Sequence, residues 1–134
     1  MQSQASLAQL RHKYPAYKHV TLAEIFEEPK AMKEAALREA AKARAVAKEL
    51  VESGLKLAYI VGSGASLNAA MAGQYALTGL AGISATAISA SEFPEWLPRK
   101  PRPSSALIAL SRSGETPEVL KSAKLAKELS LIHI

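Results

Sequence analysis

The sequence lacks cysteine and aspartate altogether. None of its 134 residues is a cysteine, and its twelve acidic residues are all glutamates. The missing cysteine excludes disulfides, thiolate metal sites and cysteine nucleophiles. The missing aspartate excludes aspartyl-phosphate chemistry and aspartate-held magnesium. The three histidines, His12, His19 and His133, are scattered along the chain, so we expect no metal site.

Long apolar runs are also missing. No run approaches the roughly 20 residues of a membrane span, and residues 1–15 lack the basic-then-apolar order of a signal peptide. We therefore expect a soluble, cytoplasmic protein with no membrane partner. At 134 residues and 49% apolar content, the chain is long enough for one domain with a core and too short for two comfortable ones.

Basic residues outnumber acidic residues, which gives a net charge of +5. Such a balance could favour an anionic partner, either a nucleic acid or a phosphorylated metabolite. Many of the lysines and arginines, however, lie within residues 30–56, interleaved with glutamate and alanine. This pattern is typical of a solvated helix face, so we expect no nucleic-acid partner.

Apolar periodicity predicts helices and strands in the order helix, strand, helix, strand, loop, strand, helix. This order indicates an α/β sandwich on a parallel sheet. Three strands are few for such a sheet, so we expect an incomplete domain over residues 21–129. Residues 130–134 break the preceding Lys/Ala/Glu pattern and are interpreted as a tail, whose native origin is left open. The predicted strands are LKLAYIVG, ISATAISA and ALIAL.

The N-terminal part has weaker signals. Residues 1–20 show little periodicity, which predicts an extended or partly ordered arm. Thr21 is a candidate N-cap for a short helix that ends near Pro29. The Ala/Glu/Lys/Arg-rich residues 30–53 predict one long amphipathic helix.

The turn Gly62-Ser63-Gly64-Ala65-Ser66 follows the first predicted strand. Its glycines let the backbone approach a ligand, and the next helix offers free amides and a positive dipole end that suit phosphate. A tight strand-to-helix connection with Ser66 as the N-cap explains the turn equally well. A dinucleotide site would need glycine in place of Leu67, and no P-loop Gly-Lys-Ser/Thr follows. We therefore expect no nucleotide cofactor.

The stretch SRSGET, residues 111–116, follows the third predicted strand. Its three hydroxyls can donate to an oxyanion, and Gly114 can adopt the positive φ that turns backbone amides inward. The alternative is that Thr116 only caps its helix while the serines face water. Arg112 could balance a phosphate charge or point to solvent, and the sequence leaves both open.

The two turns are expected to lie side by side. In a doubly wound sheet the first and third strands are commonly neighbours, with the second strand on the other side of the first. Both turns then open at the same carboxyl edge, where the connectivity reverses and ligands usually bind. Together they favour a phosphate ligand more than either turn does alone.

The sequence resembles the sugar isomerase (SIS) domain family. AEIFEEP, GSGAS, ASEF and SRSGET occur in that family's order and approximate spacing, over residues 22–128. The resemblance implies a three-layer α/β/α sandwich with a parallel, flavodoxin-like sheet and a phosphosugar ligand. The residues that would hold the phosphate are Ser111, Ser113 and Thr116, with Ser66 and the backbone of Arg112. The residues that would line the sugar are Ser63, Gly64 and Ala65.

The resemblance also implies an activity. The chain would be part of an aldose-ketose isomerase/aminotransferase or a deaminase acting on fructose 6-phosphate or glucosamine 6-phosphate, homodimeric when complete. Its catalytic residues would lie outside this segment, so we expect no activity from the chain alone. Ala65 and Arg112 depart from the threonine and glutamine usual in the aminotransferases. A sugar-phosphate-sensing regulatory domain is the alternative, and a structural domain without a ligand is a third.

Overall fold

The computed structural model describes residues 19–97 and 104–133. The chain forms two compact units, which divide between Ala47 and Lys48. Almost all of the predicted arm, residues 1–20, lies outside the described residues. The described elements are α1 (Val20–Glu52), β1 (Leu57–Gly62), α2 (Ala65–Leu80), β2 (Ser84–Ser89), α3 (Phe93–Trp96), β3 (Ser105–Ala109), α4 (Pro117–Glu128) and β4 (Ile132–His133).

Helix α1 is continuous from Val20 to Glu52, with Pro29 inside it. The predicted break near Pro29 and the predicted N-cap at Thr21 are therefore wrong. The helix begins before Thr21, and the His19 carbonyl accepts a hydrogen bond from Leu22 N at 3.2 Å. Proline removes one backbone hydrogen bond, but strong helix formers on both sides keep the helix continuous.

Ion pairs on the exposed surface of α1 support this helix. The Glu39 carboxylate pairs with Arg38 at 2.9 Å and with Lys42 at 3.0 Å. Hydrogen bonds from Lys42 and Arg38 lower the pKa of Glu39 below its ordinary value. Lys30 and Glu34 add a longer i,i+4 contact of 3.9 Å. These pairs fit the solvated helix face predicted from the charge pattern.

The second unit contains a parallel sheet with the strand order β2-β1-β3-β4. Strand β1 is central, and five of its six residues are buried, from Ala58 to Gly62. A strand buried on both faces has a continuous apolar sequence, which is why β1 was predictable. The expected strand order is confirmed: the first and third strands are adjacent, and the second lies on the other side of the first.

Helices cover both faces of this sheet. Tyr59 and Val61 of β1 belong to a core that includes Phe93 of α3 and Val119 of α4. The intervening Ile60 faces α2, where a Cβ added at Gly73 would lie 3.3 Å from the Ile60 Cδ1 atom. Because successive side chains of a strand point to opposite faces, α2 lies on one face and α3 and α4 lie on the other. The predicted three-layer α/β/α sandwich is confirmed.

Two elements of this unit, β4 and α3, were not predicted from the sequence. Residues Ile132–His133, within the predicted tail, form β4, which pairs with β3 through Ala106 and Leu107. In the loop predicted between the second and third strands, Phe93 begins the one-turn helix α3 and is fully buried. Its ring meets that of Tyr59 edge to face, with the centroids 5.7 Å apart. Residues 98–103 of that loop lie outside the described part.

Within residues 19–97 and 104–133, no helix is at once long enough and apolar enough to cross a membrane.

Candidate functional site

The ends of β1, β2 and β3 are joined by hydrogen bonds at the carboxyl edge of the sheet. The Val61 carbonyl accepts from Leu110 N at 2.8 Å, and the Gly62 carbonyl accepts from Ala90 N at 3.0 Å. The turn after β1 therefore lies between the turns that follow the other two strands. Because adjacent strands lie about 4.8 Å apart, the turn at Ser63 and the turn at Ser111 start close together in space.

The first turn brings helix α2 down onto the end of β1. A Cβ added at Gly62 would lie 2.6 Å from both the carbonyl carbon and the oxygen of Ser66, so only glycine permits this close approach. Ser66 N donates to the Ser63 carbonyl at 3.2 Å. The N-cap position is Gly64, and Ser66 lies inside the helix, so Ser66 is not the cap.

The four predicted site residues of this turn are all at least partly open to solvent. The side chains of Ser63 and Ser66 are half-buried, while Gly64 and Ala65 are exposed. They lie at the N-terminal end of α2, a 16-residue helix. A helix start of this kind presents amide hydrogens and a partial positive charge.

The second turn is held together by its own hydroxyl groups. Ser111 Oγ accepts a hydrogen bond from Gly114 N at 3.0 Å, and it lies 3.0 Å from Thr116 Oγ1. Ser113 Oγ accepts from Glu115 N at 3.1 Å. Gly114 has a φ of 72°, the left-handed conformation that glycine adopts at little cost. The sequence prediction for Gly114 is therefore confirmed.

Thr116 occupies the N-cap position of α4 without using its hydroxyl as a cap. Its backbone is extended, with φ −64° and ψ 115°, and its side chain makes no capping hydrogen bond. Instead, the hydroxyl lies beside that of Ser111. The two half-buried hydroxyls are therefore close enough to contact the same atom of a ligand.

The charged residues of the second turn lie at the surface. Arg112 and Glu115 are both exposed, and within the described part of the chain neither side chain forms an ion pair. The turn thus combines three hydroxyl groups with one cation and one anion at the surface. Hydroxyls and backbone amides can hold an anion by donating hydrogen bonds.

One further serine lies behind this turn and was not singled out from the sequence. Ser122, in α4, is fully buried, and its hydroxyl donates towards the Ala90 carbonyl at 2.9 Å. The signal in the sequence was a hydroxyl on the inward face of a helix, between Val119 and Ala126. Its partner, in the turn after β2, could not be identified without the fold.

These features agree with the comparisons with known proteins. The model of the SIS domain family matches residues 54–134, which include β1 to β4 and both turns. The chain belongs to the SIS domain family. The resemblance inferred from GSGAS and SRSGET is therefore confirmed.

Similar proteins are longer than this SIS domain chain. Two are glutamine–fructose-6-phosphate aminotransferases (isomerizing). The one from Photorhabdus laumondii is 36% identical over 122 residues, covering 87% of this chain and 20% of the relative. The one from Vibrio cholerae is 37% identical over 118 residues, covering 84% of this chain and 19% of the relative. The chain thus spans about a fifth of the length of these curated relatives.

A solved structure supports the same relationship. The C-terminal domain of glucosamine-fructose-6-phosphate aminotransferase from Francisella tularensis superposes on this SIS domain chain with a TM-score of 0.74 at 30% identity. The match covers 90% of this chain and 34% of that one.

Proposed function

We propose that this chain is the phosphate-binding part of a phosphosugar enzyme, an isomerase/aminotransferase or a deaminase that acts on fructose 6-phosphate or glucosamine 6-phosphate. The observation that carries the proposal is the hydroxyl pair of Ser111 and Thr116, 3.0 Å apart. This pair lies in the turn beside that of Ser63 to Ser66, at the carboxyl edge of a parallel sheet. Ligands of such sheets usually bind at this edge.

The phosphate would be held mainly by the second turn. Ser111, Ser113 and Thr116 each have a hydroxyl hydrogen that can be donated to a phosphate oxygen. The oxygens of Ser111 and Ser113 already accept backbone amide hydrogens, and such a chain of bonds makes each hydroxyl a better donor. The exposed Arg112 would add charge complementarity from the rim.

The sugar would lie over the first turn. Ser63, Gly64 and Ala65 precede or open α2, and Ser66 follows within its first turn. The small side chains leave the backbone accessible, while the hydroxyls of Ser63 and Ser66 can bond to sugar hydroxyls or phosphate. An alanine at position 65 would leave room for the ring and provide no hydrogen bond to it.

The groups that move protons would lie elsewhere in the longer protein. Aldose-ketose isomerisation needs a base to carry a proton between C1 and C2. Glu115 is the only acidic residue in the two turns, and it is exposed beside the phosphate-binding hydroxyls. The complete protein would be a cytoplasmic homodimer. The names of the relatives favour an enzyme over a sensor of sugar phosphates.

Ligand titration tests the binding proposal. Calorimetric or NMR titration of the chain with fructose 6-phosphate should show binding, whereas fructose without the phosphate should bind at least about tenfold more weakly because charged hydrogen bonds are lost. Ser111→Ala should weaken fructose 6-phosphate binding by a similar factor. Ser84→Ala is the matched control, since Ser84 is an exposed serine at the opposite end of β2. Equal binding of fructose, or an unchanged affinity in the Ser111 variant, would contradict the proposal.

An activity assay tests where the chemistry resides. The 134-residue chain should give no measurable isomerisation of fructose 6-phosphate and no deamination of glucosamine 6-phosphate. Robust turnover would show that the acid and base groups lie within this chain.

A further inference from the structure

We propose that Ser122 is a positioning residue for the phosphosugar site, because it ties the helix after the second turn to the backbone that borders the first. This inference rests on the proposed function for its ligand. Ser122 has no exposed surface, and its Oγ donates towards two carbonyl oxygens, that of Ala90 at 2.9 Å and that of Glu118 at 2.8 Å. A serine hydroxyl has a single hydrogen, so the two carbonyls share it.

The bond to Glu118 alone would be unremarkable. Serines inside helices often donate back to the carbonyl four residues earlier. The bond to Ala90 is different, because it leaves the helix and reaches the turn after β2. Ala90 is itself buried, and a buried carbonyl oxygen needs a hydrogen-bond partner. Ser122 supplies that partner.

Ala90 in turn contacts the first turn of the site through the peptide group on its N-terminal side. Its N–H donates to the Gly62 carbonyl at 3.0 Å, and Gly62 is the last residue of β1 before Ser63. Hydrogen bonds thus lead from the first turn of α4 through Ser122 and Ala90 to the end of β1. The same helix begins directly after Thr116, so this path connects the two turns from behind the site.

The expected effect follows from losing that link. Replacing Ser122 by alanine leaves the Ala90 carbonyl buried without the hydroxyl donor. The turn after β2 can then move away from α4 to find water, and the Gly62 carbonyl loses its fixed neighbour. We expect the affinity for fructose 6-phosphate to fall about fivefold to tenfold, although Ser122 does not touch the ligand.

The experiment compares Ser122→Ala with two other variants. Ala126→Gly destabilises the same helix from the same buried face without changing the bond to Ala90. Ser122→Cys has a slightly larger side chain that retains a weak donor, and should recover part of the affinity. For each chain, two quantities are measured: the affinity for fructose 6-phosphate, and the hydrogen exchange of the Ala90 and Leu110 amides.

The two amides provide an internal reference. Both donate to the end of β1, Ala90 to Gly62 and Leu110 to Val61, but only Ala90 is held by Ser122. In Ser122→Ala, the Ala90 amide should lose protection relative to Leu110, with weaker ligand binding. In Ala126→Gly, both amides should change together, and the affinity should stay within about twofold of the original chain.

The outcomes separate this inference from the proposed function. An unchanged ratio of Ala90 to Leu110 exchange in Ser122→Ala overturns the positioning role. An affinity loss no larger than that of Ala126→Gly overturns it as well. If the original chain does not bind fructose 6-phosphate, the proposed function fails, and the exchange ratio alone decides whether Ser122 holds the turn.

Discussion

Thr116 has the position of a helix cap, yet its hydroxyl contacts another side chain. Most threonines at this position stabilise the helix, because the side-chain oxygen accepts a hydrogen bond from a backbone amide of the first helical turn. Here the side chain makes no such bond and lies 3.0 Å from Ser111 Oγ. A residue whose hydroxyl is not needed by its helix remains available to a ligand.

Thr116→Val should therefore separate stability from binding. We expect the free energy of unfolding to change by less than about 0.5 kcal/mol, compared with the roughly 1 kcal/mol lost when a working cap is removed. The affinity for fructose 6-phosphate should fall, because one donor is lost. Urea denaturation and ligand titration measure the two quantities, with Thr116→Ser as the control that retains the hydroxyl. A stability loss above about 1 kcal/mol would contradict this expectation, since the hydroxyl would then contribute as much to folding as a working cap does.

Gly62 allows the close approach of α2 to β1. In Gly62→Ala, the new Cβ would lie 2.6 Å from Ser66 backbone atoms, so the helix or the strand must move. We expect a loss of about 1–3 kcal/mol in the free energy of unfolding, measured by urea denaturation.

Gly79→Ala is the control for this substitution. Gly79 lies in α2, and a Cβ there would meet no atom within 4 Å. Alanine should stabilise the helix at that position by about 0.5–1 kcal/mol. Effects of the same sign at both positions would contradict the steric explanation for Gly62.

Among the elements, β2 lies at an edge of the sheet and is protected by a side chain. Ala87 N, in β2, donates to Gln74 Oε1 of α2 at 2.6 Å. The Gln74 side chain thus accepts the hydrogen bond of an amide that the edge strand could otherwise donate to a strand of another molecule. Such amides are sites of unwanted pairing between molecules.

Gln74→Leu should expose that amide. We expect a loss of about 1 kcal/mol in the free energy of unfolding, together with association at high protein concentration, measured by denaturation and light scattering. Gln74→Glu is the control, because its carboxylate retains an acceptor at neutral pH. Equal association of the two variants would show that the edge is not protected by this bond.

The elements also show what sequence patterns can and cannot predict. Strand β1 and helix α4 were predictable because their signals are local: a continuous apolar run and a Thr-Pro helix start. The break predicted at Pro29 was wrong because the helix formers around it outweigh one missing hydrogen bond. Strand β4 was missed because two residues carry no periodicity, and only pairing with β3 makes them a strand.

The same distinction applies to the candidate site. Both of its turns were identified from residue types alone, and their proximity followed from general rules of strand order. The contact between Ser122 and Ala90 could not be found in this way, since it joins residues of different elements through tertiary packing. The absence of a capping bond at Thr116 likewise depends on the position of Ser111.

At the scale of the whole molecule, the net charge of +5 should favour anionic ligands. We expect fructose 6-phosphate binding to weaken severalfold between about 50 mM and about 500 mM NaCl, because salt screens exposed charges. Titration at each salt concentration measures this effect. Arg112→Gln removes the cation of the second turn while most of the net charge remains. If that variant has no salt dependence, the local cation and not the whole molecule is the cause.

The hydrogen bond between Val61 and Leu110 has a consequence for the order of folding. Leu110 N lies 2.8 Å from the Val61 carbonyl oxygen, but all of α2, β2, α3 and β3 lies between the two residues along the chain. Contacts between residues distant in sequence form late, because a long loop must close first. A chain emerging from the ribosome would have the first turn long before the second. The ligand could therefore select only molecules that have completed the sheet through β3, and would stabilise those without guiding the earlier steps.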